Sequence, residues 1–390
     1  MKAKRVEVFM FIDALGWEIV NRFNFLSDEF PCRYPARMQF GYSCTAIPTI
    51  LSGCRPEEHG HLSFYYYDKK DSPFKIFKFL PLSNHPKAPW NRGRVRGWIS
   101  RIFRAIMGYT GYFQLYQMPF DRLKYFDYCE KNDLFVPNGM APVRNLADIL
   151  EESGLRYHIS NWRYKEEYNF SLAETLMEKG ENDFYFIYAA ELDALLHFKL
   201  LDPEAIRKKL DFYETHIRKM LEIFRNNGQD FSFTIVSDHG MTPLSGTVDM
   251  KKAVESLGLE FGRDYVACYD STMCHMWFLR PGAREKIMGA VNSETFPGHY
   301  VSDDEKKRYG IDFKDHKYGD EIFLLNPGVQ IVPSDMGLNP LPGMHGFLPE
   351  DRDSIAVLLS TSDVKRPEEV ADYFSLMEER IQALRAEKNS

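Results

Sequence analysis

The chain has 390 residues, of which 44% are apolar and 27% charged, and a net charge of −7. That length supports one large domain with insertions, or two domains, and the composition is that of a soluble globular protein. The acidic balance argues against a globally basic nucleic-acid binder, so no nucleic-acid polymer is expected as a partner.

The N-terminal stretch "MKAKRVEVFMFIDALGWEI" has basic residues followed by a short apolar run, as a signal peptide does. Glu7 and Asp13 interrupt it and no A-x-A-like cleavage site follows, so it reads as a buried strand, Val6–Asp13. Next comes "GYSCTAIPTILSGCRPEEHG", with Ser43, Cys44, Thr45 and Thr49 as candidate nucleophiles. "TAIPTILSG" reads as a short helix with Ser43 or Thr45 near its start, where free N–H groups and the positive dipole end suit a phosphate. Residues 61–139 contain no core strand and are rich in aromatic and basic side chains. Helical patterns follow at Val143–Gly154 and Ala205–Gly228. Between and after them lie two more β-rich runs, "DFYFIYAAELD" and "FSFTIVSDHG". Residues 247–317 carry strand and helix patterns of their own, and the chain ends in an amphipathic helix.

The three apolar runs share a feature: each ends in an acid, Asp13, Asp193 or Asp238. Near-continuous apolar runs are strands buried on both faces, and their alternation with helices predicts an α/β fold with crossovers. Ligands collect at the carboxyl ends of strands in such sheets, so three acids are expected on one rim. Capping of the next helix is the simpler role for a single acid. Three, two of them with a histidine nearby, point to metal. Asp193 and His197 are four apart and share a helix face. Asp238 and His239 are adjacent and free to diverge toward two ions. His345 lies in a glycine-flanked bend, "LPGMHGFLP". These six Asp and His residues suit Zn²⁺ or Mn²⁺ and suffice for two ions at three ligands each. His275 reads as a core or pocket-wall residue, and His85, His158, His216, His299 and His316 as surface.

These residues, in this order, resemble the alkaline phosphatase superfamily, and within it the nucleotide pyrophosphatase/type I phosphodiesterase branch. The family's T-G-x-x-P-x-x-H-G, D-x-x-x-H, S-D-H-G-M and H-G-[FY] segments stand here as "SGCRPEEHG", "DALLH", "SDHGM" and "HGF". The resemblance implies a mostly parallel central sheet with helices on both faces. It implies one metal at Asp193, His197 and His345, and another at Asp13, Asp238, His239 and the nucleophile oxygen. The family's nucleophile lies ten residues before the glycine that is Gly53 here, which makes Ser43 the expected nucleophile and leaves Thr45 as its rival. A sulfatase is disfavoured, because Cys44 misses that offset by one. Phe64 stands where the branch has an Asn that contacts a phosphoryl oxygen, so another donor, such as the Cys44 backbone N–H, is expected to serve. Cys44 and Phe64 are thus the expected substrate-binding positions.

The expected organisation is core at 1–60, 140–246 and 318–390, with an inserted cap at 61–139 and a smaller lobe at 247–317. From Lys69 to Arg104 the cap has ten Lys or Arg and one acid. On a helical wheel Trp98, Ile99, Ile102, Phe103, Ile106 and Met107 form one stripe, opposite Arg94, Arg101 and Arg104. Such a helix either packs its stripe on the core or lies on a membrane interface, and its basic face suits an anionic substrate. The expected function is a two-metal phosphodiesterase or pyrophosphatase working through a phosphoserine at Ser43 on a phosphorylated lipid, glycoconjugate or nucleotide-like substrate. Two divalent ions are expected, zinc before manganese. A phosphomonoesterase, a transferase passing the phosphoryl group to an alcohol, and a catalytically dead binding module are the alternatives. Six scattered cysteines without a C-x-x-C pair, and no run of membrane-spanning length, predict a cytoplasmic protein that is at most peripheral to a membrane.

Overall fold

A computed structural model describes residues 3–79 and 88–389; His85, and residues 80–87 of the basic stretch from Lys69 to Arg104, lie outside them. Its central sheet is built from β1 (Arg5–Ile12), β2 (Cys32–Ala36), β5 (Tyr157–Ile159), β6 (Phe184–Ala189), β7 (Asp230–Val236) and β12 (Ala356–Ser360). The cap contributes β3 (Tyr65–Tyr67) and β4 (Phe126–Tyr128). A second sheet holds β8 (Tyr265–Tyr269), β9 (Met273–Phe278), β10 (Gly298–Tyr300) and β11 (Glu321–Leu325). The principal helices are α1 (Ser43–Ser52), α2 (Gly93–Met107), α3 (Leu146–Ser153), α4 (Glu166–Lys179), α5 (Glu191–Lys199), α6 (Pro203–Asn227) and α7 (Asp372–Asn389).

The central strand order is β2-β12-β7-β1-β6-β5. β1 pairs parallel with both β6 and β7, and β6 with β5, while β12 runs antiparallel to its neighbours. The three apolar runs are therefore adjacent and point the same way. Ile12 sits opposite Ala189 and Phe11 opposite Val236, so Asp13, the start of α5 and Asp238 emerge at one edge. Alternation along β1 feeds two cores. Val8, Met10 and Ile12 pack under α4, α5 and α6, and Phe9 and Phe11 pack under α1, α3 and α7. Helices thus cover both faces, as a doubly covered parallel sheet requires.

The second sheet runs β8-β9-β11-β10, all antiparallel. The cap joins it through one aromatic cluster, in which Phe74, Phe103, Phe113, Phe126 and Tyr128 meet Val266 and Trp277. Helix α2 departs from its wheel. It buries Arg96, Ser100 and Phe103, and leaves Trp98 60% and Ile106 71% exposed, with Ile102 and Met107 also outside. The cause is Arg96, which donates to the Leu115 and Met118 carbonyls and to Asn91 Oδ1 and lies 4.4 Å over the Phe120 ring. Those bonds hold the Arg96–Ser100–Phe103 line inward, so Trp98, Ile102 and Ile106 face outward; Arg94, four residues before Trp98, continues that exposed row rather than standing opposite it as the wheel reading had it. No helix among the described residues is long and apolar enough to cross a membrane.

The turn after β7 packs tightly. A Cβ on Gly240 would fall 2.1 Å from the Asp353 carbonyl oxygen, and one on Gly16 would fall 2.6 Å from Gly240 Cα. Gly240→Ala is expected to cost about 3 kcal/mol in urea unfolding and to displace the adjoining Asp238–His239 pair; an unchanged unfolding midpoint would refute this packing.

Candidate metal centre and active site

Each acid at the sheet edge is held by its own element. Asp13 follows β1, and its amide donates to the Ala189 carbonyl, tying the rim of β1 to that of β6. Asp238 follows β7, and its Oδ1 accepts from the Ala14 and His239 amides at 3.1 and 3.0 Å, which leaves Oδ2 for another partner. Asp193 and His197 sit one turn apart on α5, with His197 Nε2 3.4 Å from Asp193 Oδ2. The start of α5 is anchored by buried Glu166, which accepts from the Glu191 amide, Tyr213 Oη and Lys209 Nζ. His345 comes from the last loop. Gly346 behind it has φ +85° and lies so close to the Tyr42 ring that a Cβ would fall 2.5 Å from it.

The six side chains form two groups, Asp193 with His197 and His345, and Asp13 with Asp238 and His239; within each the ligand atoms lie within 4.8 Å of one another. The groups share a wall, because the His239 and His345 rings stack at 3.7 Å and 12°. Backbone carbonyls set the tautomers. His239 Nδ1 donates to Gly240 O at 2.8 Å and His197 Nδ1 to Gly343 O at 2.9 Å, leaving both Nε2 lone pairs inward. Asp13 Oδ1, Asp193 Oδ1, Asp238 Oδ2 and His345 Nδ1 are buried with no hydrogen-bond partner among the described residues.

Electrostatics point the same way. Burial, together with Asp238 and Asp193 nearby, pushes the Asp13 carboxyl well above its ordinary range. Burial raises Asp238 too, against the pull of His239. Burial, with His239 beside it, drives the His345 imidazole well down. Carboxylates crowded this way call for a compensating cation. Orphaned oxygens and inward imidazole nitrogens are a donor set that suits two divalent ions of the zinc or manganese type.

Only one of the four candidate nucleophiles reaches this cluster. Ser43 is the first residue of α1, and its Oγ lies 3.1 Å from His239 Nε2. Thr45 donates its hydroxyl to the Leu62 carbonyl at 2.7 Å. Thr49 is buried between the Thr45 carbonyl and His59 Nε2. The Cys44 thiol turns toward Thr45 Oγ1 and Cys129. The amides of Ser43 and Cys44 are first-turn groups with no intrahelical acceptor, so they stand free for an anion. Tyr42, which the sequence did not single out, braces the site. Its hydroxyl meets Thr272 Oγ1 at 2.7 Å, Thr272 donates to the Gly346 carbonyl, and its ring stands edge-on to His345 at 5.6 Å.

Above Ser43 opens a cavity of about 690 Å³ lined by Ser43, Cys44, Asp13, Asp193, His197 and His345 on its floor. Phe64, Tyr112, Tyr116, Phe135, Trp162 and Tyr188 line its walls, along with Glu130, Asn132 and Asp270. No lysine or arginine is among the described residues that line it.

Residues 41–347 match the family model for type I phosphodiesterase/nucleotide pyrophosphatase. The chain belongs to that family. The type I phosphodiesterases belong to the alkaline phosphatase superfamily and depend on metal ions, and this member is a hydrolase of phosphoester bonds. Its fold is that of murine ectonucleotide pyrophosphatase/phosphodiesterase 5, with 13% identity over 98% of this chain and 95% of that one and a TM-score of 0.67. An inactive variant of the murine protein in complex with AMP (12%, the same coverage, TM-score 0.66) and the human protein (12%, the same coverage, TM-score 0.67) superpose similarly. No curated protein matches the chain.

Metal removal should be visible in stability. EDTA treatment is expected to lower the thermal midpoint and added Zn²⁺ or Mn²⁺ to restore it, by about 3 kcal/mol when the ion exceeds its dissociation constant a hundredfold. Asp238→Asn should shrink that response; identical melting with and without ions would mean that these carboxylates bind none.

Proposed function

We propose that this phosphodiesterase cleaves a phosphodiester through a covalent phosphoserine at Ser43, with two divalent ions, zinc foremost. The observation that carries the reading is the placement of Ser43 Oγ, at a helix start and against the Asp13–Asp238–His239 group. Asp13, Asp238 and His239 would hold one ion with Ser43 Oγ, and Asp193, His197 and His345 the other. When bound, the ions supply charge stabilisation at the attacking and departing oxygens of an in-line displacement.

The chain's own part is positioning. Ser43 Oγ loses its proton to solvent and forms the bond to phosphorus as the bond to the departing oxygen breaks, and that alkoxide takes up a proton from solvent to leave as the alcohol, the non-leaving ester group staying on phosphorus. Water then attacks the phosphoserine and releases Ser43. The free Ser43 and Cys44 amides face the non-bridging oxygens, and Asn132 in the cavity wall is a further donor in place of the family's Asn. A cavity this large favours a diester over a monoester, which would leave its walls unused. Ser43→Ala is expected to lower turnover of bis-p-nitrophenyl phosphate by at least about a thousandfold while keeping the metal-dependent melting shift, and intact-mass spectrometry of the quenched wild-type enzyme should show a p-nitrophenyl-phosphoryl adduct that the variant lacks. Full activity of the variant would sink the assignment, and Thr45→Ala is the control for the rival hydroxyl.

The outward face of α2 supports a second element of the reading: a cytoplasmic enzyme docked peripherally on an anionic bilayer, acting on a phosphorylated lipid or glycoconjugate. Trp98, Ile102 and Ile106 are exposed in a row beside Arg94 and Arg101, which form no ion pair with the described residues. Vesicles containing phosphatidylserine should sediment the protein, and joint replacement of Trp98 and Ile106 by Ser should release most of it. Equal recovery of both proteins in the supernatant would refute the docking.

A further inference from the structure

The cations missing from the cavity above Ser43 line another one. A second cavity, of about 460 Å³, lies where α2 and the 117–119 turn of the cap meet the short helix Met250–Glu255 and the 333–338 loop. Its wall includes Arg96, Gln117, Asp249, Lys251, Lys252 and Glu255. Arg96 is 3% exposed. Its Nη atoms donate to the Leu115 and Met118 carbonyls and to Asn91 Oδ1, and its Nε has no partner among the described residues. Neither Arg96 nor Lys252 forms an ion pair with a described carboxylate. The acids nearby are already engaged. Asp335, whose charge is felt by Arg96, bonds Lys251 Nζ and the Tyr269 amide, both at 2.9 Å. Glu255 accepts from Arg122 at 2.6 Å. Asp249 caps the short helix by accepting from the Lys252 amide at 2.9 Å. Among the described residues, two cations thus face this cavity without a carboxylate of their own, against the single charge of Asp249.

A guanidinium withdrawn from water is only partly compensated by neutral carbonyls, and a charged acceptor binds it more strongly. Burial pushes Arg96 down to about 10, so it stays charged at neutral pH and its desolvation cost stays in the fold. The low-dielectric wall that imposes the cost also strengthens the pull on a ligand of opposite charge. The volume is that of a small-molecule site. An oxyanion with several acceptor oxygens can meet both cations and the Gln117 amide at once. We propose that this second cavity is a binding site for a phosphate-class oxyanion, held between Arg96 on α2 and Lys252 of the short helix, the anion being either a free ion or the far end of a long substrate. None of the wall residues belongs to the two metal-ligand groups, so the site is distinct from the chemistry at Ser43. It nonetheless adjoins the substrate's cavity. Ser334 lines both, and its Oγ accepts from the Met336 and Gly337 amides, which shapes the loop between them. An anion there ties the cap to the short helix across that loop.

Equilibrium dialysis of radiolabelled inorganic phosphate against the metal-loaded enzyme tests this. Phosphate also suits the ions beside Ser43, so two sites per chain are expected in the wild type. Lys252→Glu should weaken one of them by at least about tenfold while leaving turnover of bis-p-nitrophenyl phosphate in phosphate-free buffer unchanged, and Asp193→Asn should weaken the other. Arg96→Gln should act as Lys252→Glu does; Lys252 is exposed, so its variant decides the matter even where loss of the buried guanidinium unfolds the cap. A single site in the wild type overturns the proposal, as do two sites that Lys252→Glu leaves intact. A series of p-nitrophenyl alkyl phosphates, with and without a second phosphate at the far end of the alkyl chain, separates the two sources. A lower KM for the doubly phosphorylated esters that Lys252→Glu abolishes makes the anion the substrate's own, and equal KM values beside two-site binding make it a free ion. If no ester is cleaved, the dialysis still decides the anion site, and the Ser43 phosphodiesterase reading falls by itself.

Discussion

Everything at this site depends on the mutual repulsion of carboxylates gathered at one sheet edge. Asp13, Asp193 and Asp238 stand within reach of one another because three neighbouring parallel strands deliver them there, and burial removes the water that would have screened them. The fold meets part of that cost with backbone amides on Asp238 Oδ1 and with imidazoles turned inward by carbonyl bonds. The rest falls to cations. A rim so arranged is costly for a bare protein and favourable for a metalloenzyme, and the tightly packed glycines beside it keep it from relaxing.

The cap has a different logic. Its aromatic cluster is continuous from Phe103 on α2 through Phe113 and Tyr128 to Phe64 in the cavity. The core supplies the chemistry and the cap supplies the room around it. The cap is also where charge is handled least like the rest of the molecule: Arg96 is buried on carbonyls, Glu130 is buried with no partner among the described residues, and apolar side chains of α2 face outward.

Much of the core was legible in the sequence, and for a physical reason. Strands buried on both faces read as unbroken apolar runs, and β1, β6 and β7 do. Their terminal acids, and the helical spacing of Asp193 and His197, could be placed without coordinates. The edge strands could not. β2 contains Pro35, which reads against a strand and is tolerated only at an edge. The outward face of α2 was hidden because a wheel assumes that apolar means inward, whereas the hydrogen bonds of one guanidinium decide the matter here. Tyr42 and Thr272 were hidden because they are 230 residues apart and neither belongs to a periodic pattern.

Asp13 and His345 lie near opposite ends of the chain, yet they belong to two ligand groups that share a wall. The brace on His345 comes from Tyr42, through the Thr272 turn of the second sheet and the Gly346 carbonyl. Contacts so distant in sequence close late in folding, since each carries the entropy of the loop it shuts. During synthesis β1 can pair once β6 and β7 have been made, but the rim stays unfinished until the loop that carries His345 has followed. Ser43, the proposed nucleophile, is therefore among the first residues to be synthesised, while the ligand group around it is among the last to be completed.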